Sequence, residues 1–164
     1  IVFSVPTVIG NLVELYGPGK VPLSKITNEE LIALKYLKIN SGPNEKILTV
    51  PFNPRLKEQY KSQPLPIYAW YDTSYVSALT GRDSYLASEH VTLLFYPTTA
   101  QRIENKEKFF KQADISWNRQ FLKSEGIDYI YAAKDELVEP LDIQKNNLEI
   151  FFENNETIIY KMKS

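Results

Sequence analysis

The chain has 164 residues, 43% of them apolar and 13% aromatic, which is enough material for one globular domain that buries roughly two-thirds of its unfolded surface, and which excludes disorder. Its net charge of −1 removes any bulk electrostatic attraction to nucleic acid or to an anionic membrane. With no cysteine and a single histidine, His90, it has no disulfide framework, thiol chemistry, cysteine-ligated metal or multi-histidine cluster, and any Ser-His scheme depends on that one residue.

The opening IVFSVPTVIGNLVEL runs 13 residues before its first charge, Glu14, and is interrupted by Pro6 and Asn11. It is shorter than the roughly 20 apolar residues that span a bilayer, and it lacks the basic flank and cleavage site of a signal peptide. Two readings stay open for 1–15: an apolar arm packed on the domain, or a juxtamembrane segment at the outer end of a transmembrane helix. Ile1 in place of Met suits a processed protein or a piece of a longer one. A Gly/Pro-rich connector, YGPGKVPLS, follows.

Thr27 and Glu30 form an S/T-x-x-E capping box, with Ile26 and Leu31 at the staple positions. Leu31, Leu34 and Leu37 recur on one helical face, and Gly42-Pro43 ends the helix. KILTV, at 46–50, is β-branched and stopped by Pro51, which predicts a buried strand. Pro54, Pro64 and Pro66 make 52–66 a loop, with room for one helical turn at 55–60.

From 62 to 100 the only charges are Asp72, Arg82, Asp83 and Glu89, amid Tyr68, Trp70, Tyr71, Tyr75, Tyr85, Phe95 and Tyr96. Such a stretch is either core or the lining of a site. Helices are predicted over 99–112 and from Ser116, as N-cap, to Gly126, with Trp117 and Phe121 paired at i,i+4. IDYIYAA, 127–133, reads as a strand. LEIFF and TIIYKMK about ENNE read as a closing hairpin.

This order predicts a single α/β domain over 1–164: a small mixed sheet with helices packed on it in a Rossmann-like three-layer arrangement, ending in a C-terminal β-hairpin. The right-handed crossover rule makes strands 46–50 and 127–133 parallel if they share a sheet.

Phosphate loops are absent. GPGK at Gly17 lacks the Walker spacing and has Val21 where Ser or Thr should stand. No nucleophile-elbow or dinucleotide motif occurs, and no catalytic residue, metal site or cofactor is predicted. Glu89 and His90 are adjacent in sequence, so they diverge on a strand and stand about 100° apart on a helix, and adjacency alone makes no dyad. Charges within the aromatic stretch must be exposed at a site or paired. Two readings follow: an Arg82–aspartate clamp, or a ligand site of Trp70, Tyr71, Asp72, Tyr75, Arg82, Asp83 and His90, in which aromatic faces stack on sugars and the polar groups bond hydroxyls or phosphate. Asn155-Glu156-Thr157 matches the N-glycosylation pattern at the hairpin turn.

The apolar FSVPT start, the capped helix NEELIALKYLKINSGPNEKILTVP, the segment YVSALTGR, the helix pair leading to LKSEGIDYIYA and the closing LEIFFENNETIIYKM together resemble the soluble C-terminal domain of polytopic membrane glycosyltransferases of the GT-C type. The resemblance covers nearly the whole chain. It implies a parent that spans the membrane many times and uses a lipid-linked sugar, with this domain membrane-attached on the extracytoplasmic side. The transferase chemistry would lie in membrane-proximal loops outside this chain. Oligosaccharyltransferases of that superfamily carry a W-W-D-Y-G acceptor motif. Trp70 to Ser74, W-Y-D-T-S, matches it only at Trp70 and Asp72 and stands about twenty residues too late.

The leading expectation is therefore a noncatalytic extracytoplasmic domain that contacts a glycan or polyprenyl-linked sugar and the transmembrane portion of its own parent chain. The alternatives are a structural or protein-interaction module of a membrane protein, and a stand-alone soluble enzyme. The enzyme would need Asp72, Asp83, Glu89 and His90 to converge in one pocket.

Overall fold

A computed structural model of the chain describes residues 21–89, 98–112 and 114–163. Residues 1–15, read as either an apolar arm or a juxtamembrane segment, and His90, Phe95 and Tyr96, lie outside the described residues. A two-residue strand, β1 (Ser24–Lys25), leads into helix α1 (Asn28–Asn40). The capping box forms as expected: the Thr27 hydroxyl accepts the Glu30 N–H at 3.1 Å, and the Glu30 carboxylate accepts the Thr27 N–H at 3.3 Å. Ala33, Leu34 and Leu37 are the buried face of α1.

The chain then enters β2 (Lys46–Thr49) directly and passes through a 3-10 turn at Leu56–Gln59 into β3 (Leu65–Pro66), which pairs in parallel with β1. Two short helices, α2 (Ile67–Trp70) and α3 (Tyr75–Thr80), precede β4 (Asp83–Ser84). Gly81 ends α3 at φ +70°, a left-handed conformation that favours glycine. Helices α4 (Thr99–Phe110) and α5 (Ile115–Ser124) lead to β5 (Ile127–Ala133), and β6 (Leu148–Glu153) and β7 (Thr157–Met162) form the hairpin.

The five-stranded sheet has the order β4-β2-β5-β7-β6. β2 lies parallel to both neighbours, in register Ile47 with Tyr129 and Leu48 with Ile130, as the crossover rule predicts. β7 runs antiparallel to β5 and β6. Alternation along the strands builds two cores. Ile47, Tyr129, Tyr131 and Ile159 face α1 and Val76 of α3, whereas Leu48, Ile130, Ala132 and Tyr160 face Phe109, Phe121 and Leu122 of α4 and α5. The result is the expected three-layer α/β arrangement.

Some boundaries differ. Asp114, not Ser116, is the N-cap of α5: its backbone is extended and its Oδ1 accepts the Trp117 N–H at 3.0 Å, which puts Ser116 inside the first turn. Trp117 and Phe121 do stack, at 5.0 Å and 6°. α4 stops at Phe110, with Gln112 at φ 52°. The segment 67–84, irregular by its sequence, holds α2, α3 and β4.

Arg82 forms no aspartate clamp among the described contacts. Its Nη2 donates to Lys38 O and Ser41 O, both at 2.8 Å, and its Nε to Ser41 Oγ at 2.9 Å, so it satisfies carbonyls at the end of α1 that have no helical partner. The opposite end of α1 is held by Glu30. This carboxylate is fully buried and also accepts the Tyr75 hydroxyl at 2.9 Å and the Tyr131 hydroxyl at 3.4 Å. Burial is the main cause that raises its pKa above the usual glutamate value. Glu30→Ala leaves two phenols and an amide without their acceptor. It is expected to cost roughly 2–4 kcal/mol in urea unfolding, and Glu30→Gln, which keeps an acceptor oxygen, less than half of that.

Candidate functional site

The chain leaves β2 over the α1 face to reach β4, whereas the segment after β5 packs Leu137, Leu141 and Ile143 on the opposite face. The loops after β2 and β5 therefore diverge, and such a boundary, outside the carboxyl ends of the strands, is where open α/β sheets form ligand crevices. Here it holds two adjoining spaces.

The inner one is a cavity of about 40 Å³, lined by Thr49, Tyr71, Asp72, Tyr75, Lys106 and Glu136 among others. That is room for about three waters or one hydroxyl-bearing carbon. The outer one is a groove of about 280 Å³, walled by Val50, Pro51, Phe52 and Pro54 after β2, Phe110 of α4, and Leu137 and Val138 after β5. Val50, Phe52 and Glu136 line both, so the groove and the cavity share a wall.

The polar groups are positioned by secondary structure. Lys106, on the inner face of α4, is buried and donates to Glu89 Oε1 at 2.9 Å and to Thr49 Oγ1 at 3.3 Å. Glu89 Oε1 also accepts the Phe52 N–H at 3.4 Å, which ties the loop after β2 to this ion pair. Asp72 is buried and accepts the Ser88 hydroxyl at 3.0 Å. Thr73 Oγ1 is buried against the cavity with no hydrogen-bond partner.

Glu136 is held by the Ala133 N–H at 3.0 Å, in a 3-10 turn at Lys134–Glu136 that follows β5. Burial pushes its carboxyl up to about 8; the Ala133 bond opposes this, Glu30 adds to it and Lys106 opposes it. Burial likewise keeps the Tyr75 and Tyr131 phenols well above their ordinary value.

Of the residues expected from the sequence, Tyr71, Asp72 and Tyr75 meet in the cavity. Trp70, half-buried at the end of α2, lines neither space. Arg82 and Asp83 sit at the amino edge of the sheet, where Asp83 pairs with Lys46 in β2, so they join neither Asp72 nor Glu89. This removes the four-residue convergence that a stand-alone enzyme needed, and His90 lies outside the described residues. Sequence reading missed Lys106, Glu136 and the deeper role of Glu30. A lysine three residues from both Ile103 and Phe109 on a core-facing helix was the one available signal; Glu136 had none short of the strand order.

Among the described residues no group of three or more His, Cys, Asp or Glu side chains is arranged to hold a metal ion, and no helix is long and apolar enough to cross a membrane. The chain matches no protein-family model, no curated protein and no solved structure.

The raised Glu136 pKa makes a pH prediction. The folded protein keeps this proton up to about pH 8 while the unfolded chain sheds it near 4.5, so its contribution to stability falls as pH rises through that window. Glu136→Gln is expected to match the wild type in thermal melting near pH 4.5 and to melt higher at pH 8, by about 2–4 °C per kcal/mol recovered. Equal melting at pH 8 would mean that Glu136 titrates as an ordinary exposed glutamate.

Proposed function

We propose that this chain is a noncatalytic, extracytoplasmic domain of a polytopic membrane protein of the GT-C glycosyltransferase type, and that the crevice at the carboxyl edge of its sheet receives the carbohydrate part of a donor or acceptor. One observation carries the reading. Residues 21–27 join the fold beside the start of α1, at the same sheet edge as the crevice, because α1 ends next to the start of β2 and runs antiparallel to it. A membrane bundle preceding this segment would stand beside the crevice, where a lipid-linked sugar presents its head.

The chemistry of the crevice supports the same reading. An apolar groove suits the C–H face of a sugar ring, and a water-sized polar cavity at its end suits a hydroxyl. The A-L-T-G-R segment on which the resemblance partly rests also has a defined structural role, since Gly81 ends α3 and Arg82 closes the end of α1.

A second reading, a protein-interaction module, draws on the outward stripe of α1. Ile32, Tyr36 and Ile39 are 53%, 38% and 79% exposed at helical spacing, with Tyr36 packed on Phe151 and Phe152 of β6.

The absence of cysteine makes a topology test direct. Val138 is 98% exposed. In the full-length gene product, with any other cysteines replaced, Val138→Cys is expected to react with a membrane-impermeant maleimide on intact cells. Reaction only after lysis would contradict the proposed side of the membrane.

A further inference from the structure

We infer that the crevice selects a monosaccharide-sized ligand carrying an ammonium group, an amino sugar, over a neutral sugar or a sugar phosphate; this rests on reading the crevice as a carbohydrate site. Size sets the first limit. The groove of about 280 Å³ lies near the low end of ligand pockets, a few hundred cubic ångströms, which fits one ring. The adjoining cavity of about 40 Å³ has room for no more than a substituent.

Charge sets the second limit, because carboxylates outnumber lysines in the lining of the crevice. Lys106 is bound to Glu89 at 2.9 Å, and Lys111 lies 3.5 Å from Glu107. Glu136 and Glu139 line the groove with no ion-pair partner among the described residues. Glu136 stands where groove and cavity meet. The charged groups acting on it are Glu30 from α1, Lys106 from α4 and Asp135 beside it, a net negative surrounding.

A phosphate placed there would meet Glu107, Glu136 and Glu139, with the exposed Lys111 as the one lysine of the groove's lining. An ammonium would favour the ionised form of Glu136, displacing the proton that the folded protein otherwise keeps up to about pH 8, and would form a charge-assisted hydrogen bond to it. The apolar walls at Phe52, Phe110 and Leu137 would meanwhile cover the ring face.

Three ligands on one ring test this: glucosamine, glucose and glucose 6-phosphate, titrated into the 164-residue chain and followed by backbone amide NMR shifts. Glucosamine is expected to shift Phe52, Phe110, Glu136 and Leu137 with a Kd at least tenfold below that of glucose, and glucose 6-phosphate to bind more weakly than either. In Glu136→Gln the glucosamine affinity should fall to within twofold of glucose, with glucose unchanged. Glucose or glucose 6-phosphate binding these residues as tightly as glucosamine would overturn the charge preference and leave the carbohydrate site standing. Failure of all three to shift them would overturn both. If Glu136→Gln does not fold, the wild-type order of affinities decides alone.

Discussion

A carboxylate taken wholly out of water costs several kcal/mol unless hydrogen bonds replace its hydration, and Glu30 meets that demand with donors from three elements. The Thr27 amide belongs to the first turn of α1, the Tyr75 hydroxyl to α3 and the Tyr131 hydroxyl to the last part of β5. None of these elements can shift along the sheet without unpairing a buried polar group. The hairpin joins the same edge through Asn154, whose Nδ2 donates to Glu29 O at 2.9 Å. With Arg82 holding the other end, α1 is fixed at both termini, and its Ala33, Leu34 and Leu37 face is set against Ile47 and Tyr129.

At the carboxyl edge of the sheet Asp72 and Glu136 line one cavity with the buried Lys106, which is paired with Glu89. The diverging loops after β2 and β5 then open a groove over them. Under the proposed function, an edge that is acidic and half apolar suits a small polyol better than an anion. The amino edge carries Arg82 and Asp83, and these serve the helix end and the strand pairing rather than a site.

Much of this is legible in the sequence where local chemistry decides the outcome. The Thr27–Glu30 box, the Trp117–Phe121 pair, Gly126 after α5 and the alternating hairpin strands each carry their signal within a few residues, and each is observed. The short helices α2 and α3 are not legible, since four and six residues leave no periodicity to read and their aromatic content suits strand or site equally. Composition picks out Tyr71, Asp72 and Tyr75, because few charges amid many aromatics mark a boundary between core and solvent. It groups Arg82 and Asp83 with them for the same reason, but the turn at Gly81 carries them to the opposite end of β4. Lys106 and Glu136 depend on strand order, which brings residues 49, 72, 106 and 136 together across most of the chain.

The most direct test of Glu30 as the joint of this edge is a double-mutant cycle in urea unfolding with Glu30→Ala and Tyr75→Phe. A buried hydrogen bond within one network predicts a coupling of at least about 1 kcal/mol between the two substitutions. Losses that add to within about 0.3 kcal/mol would show the two groups acting independently, and would contradict an edge organised around Glu30.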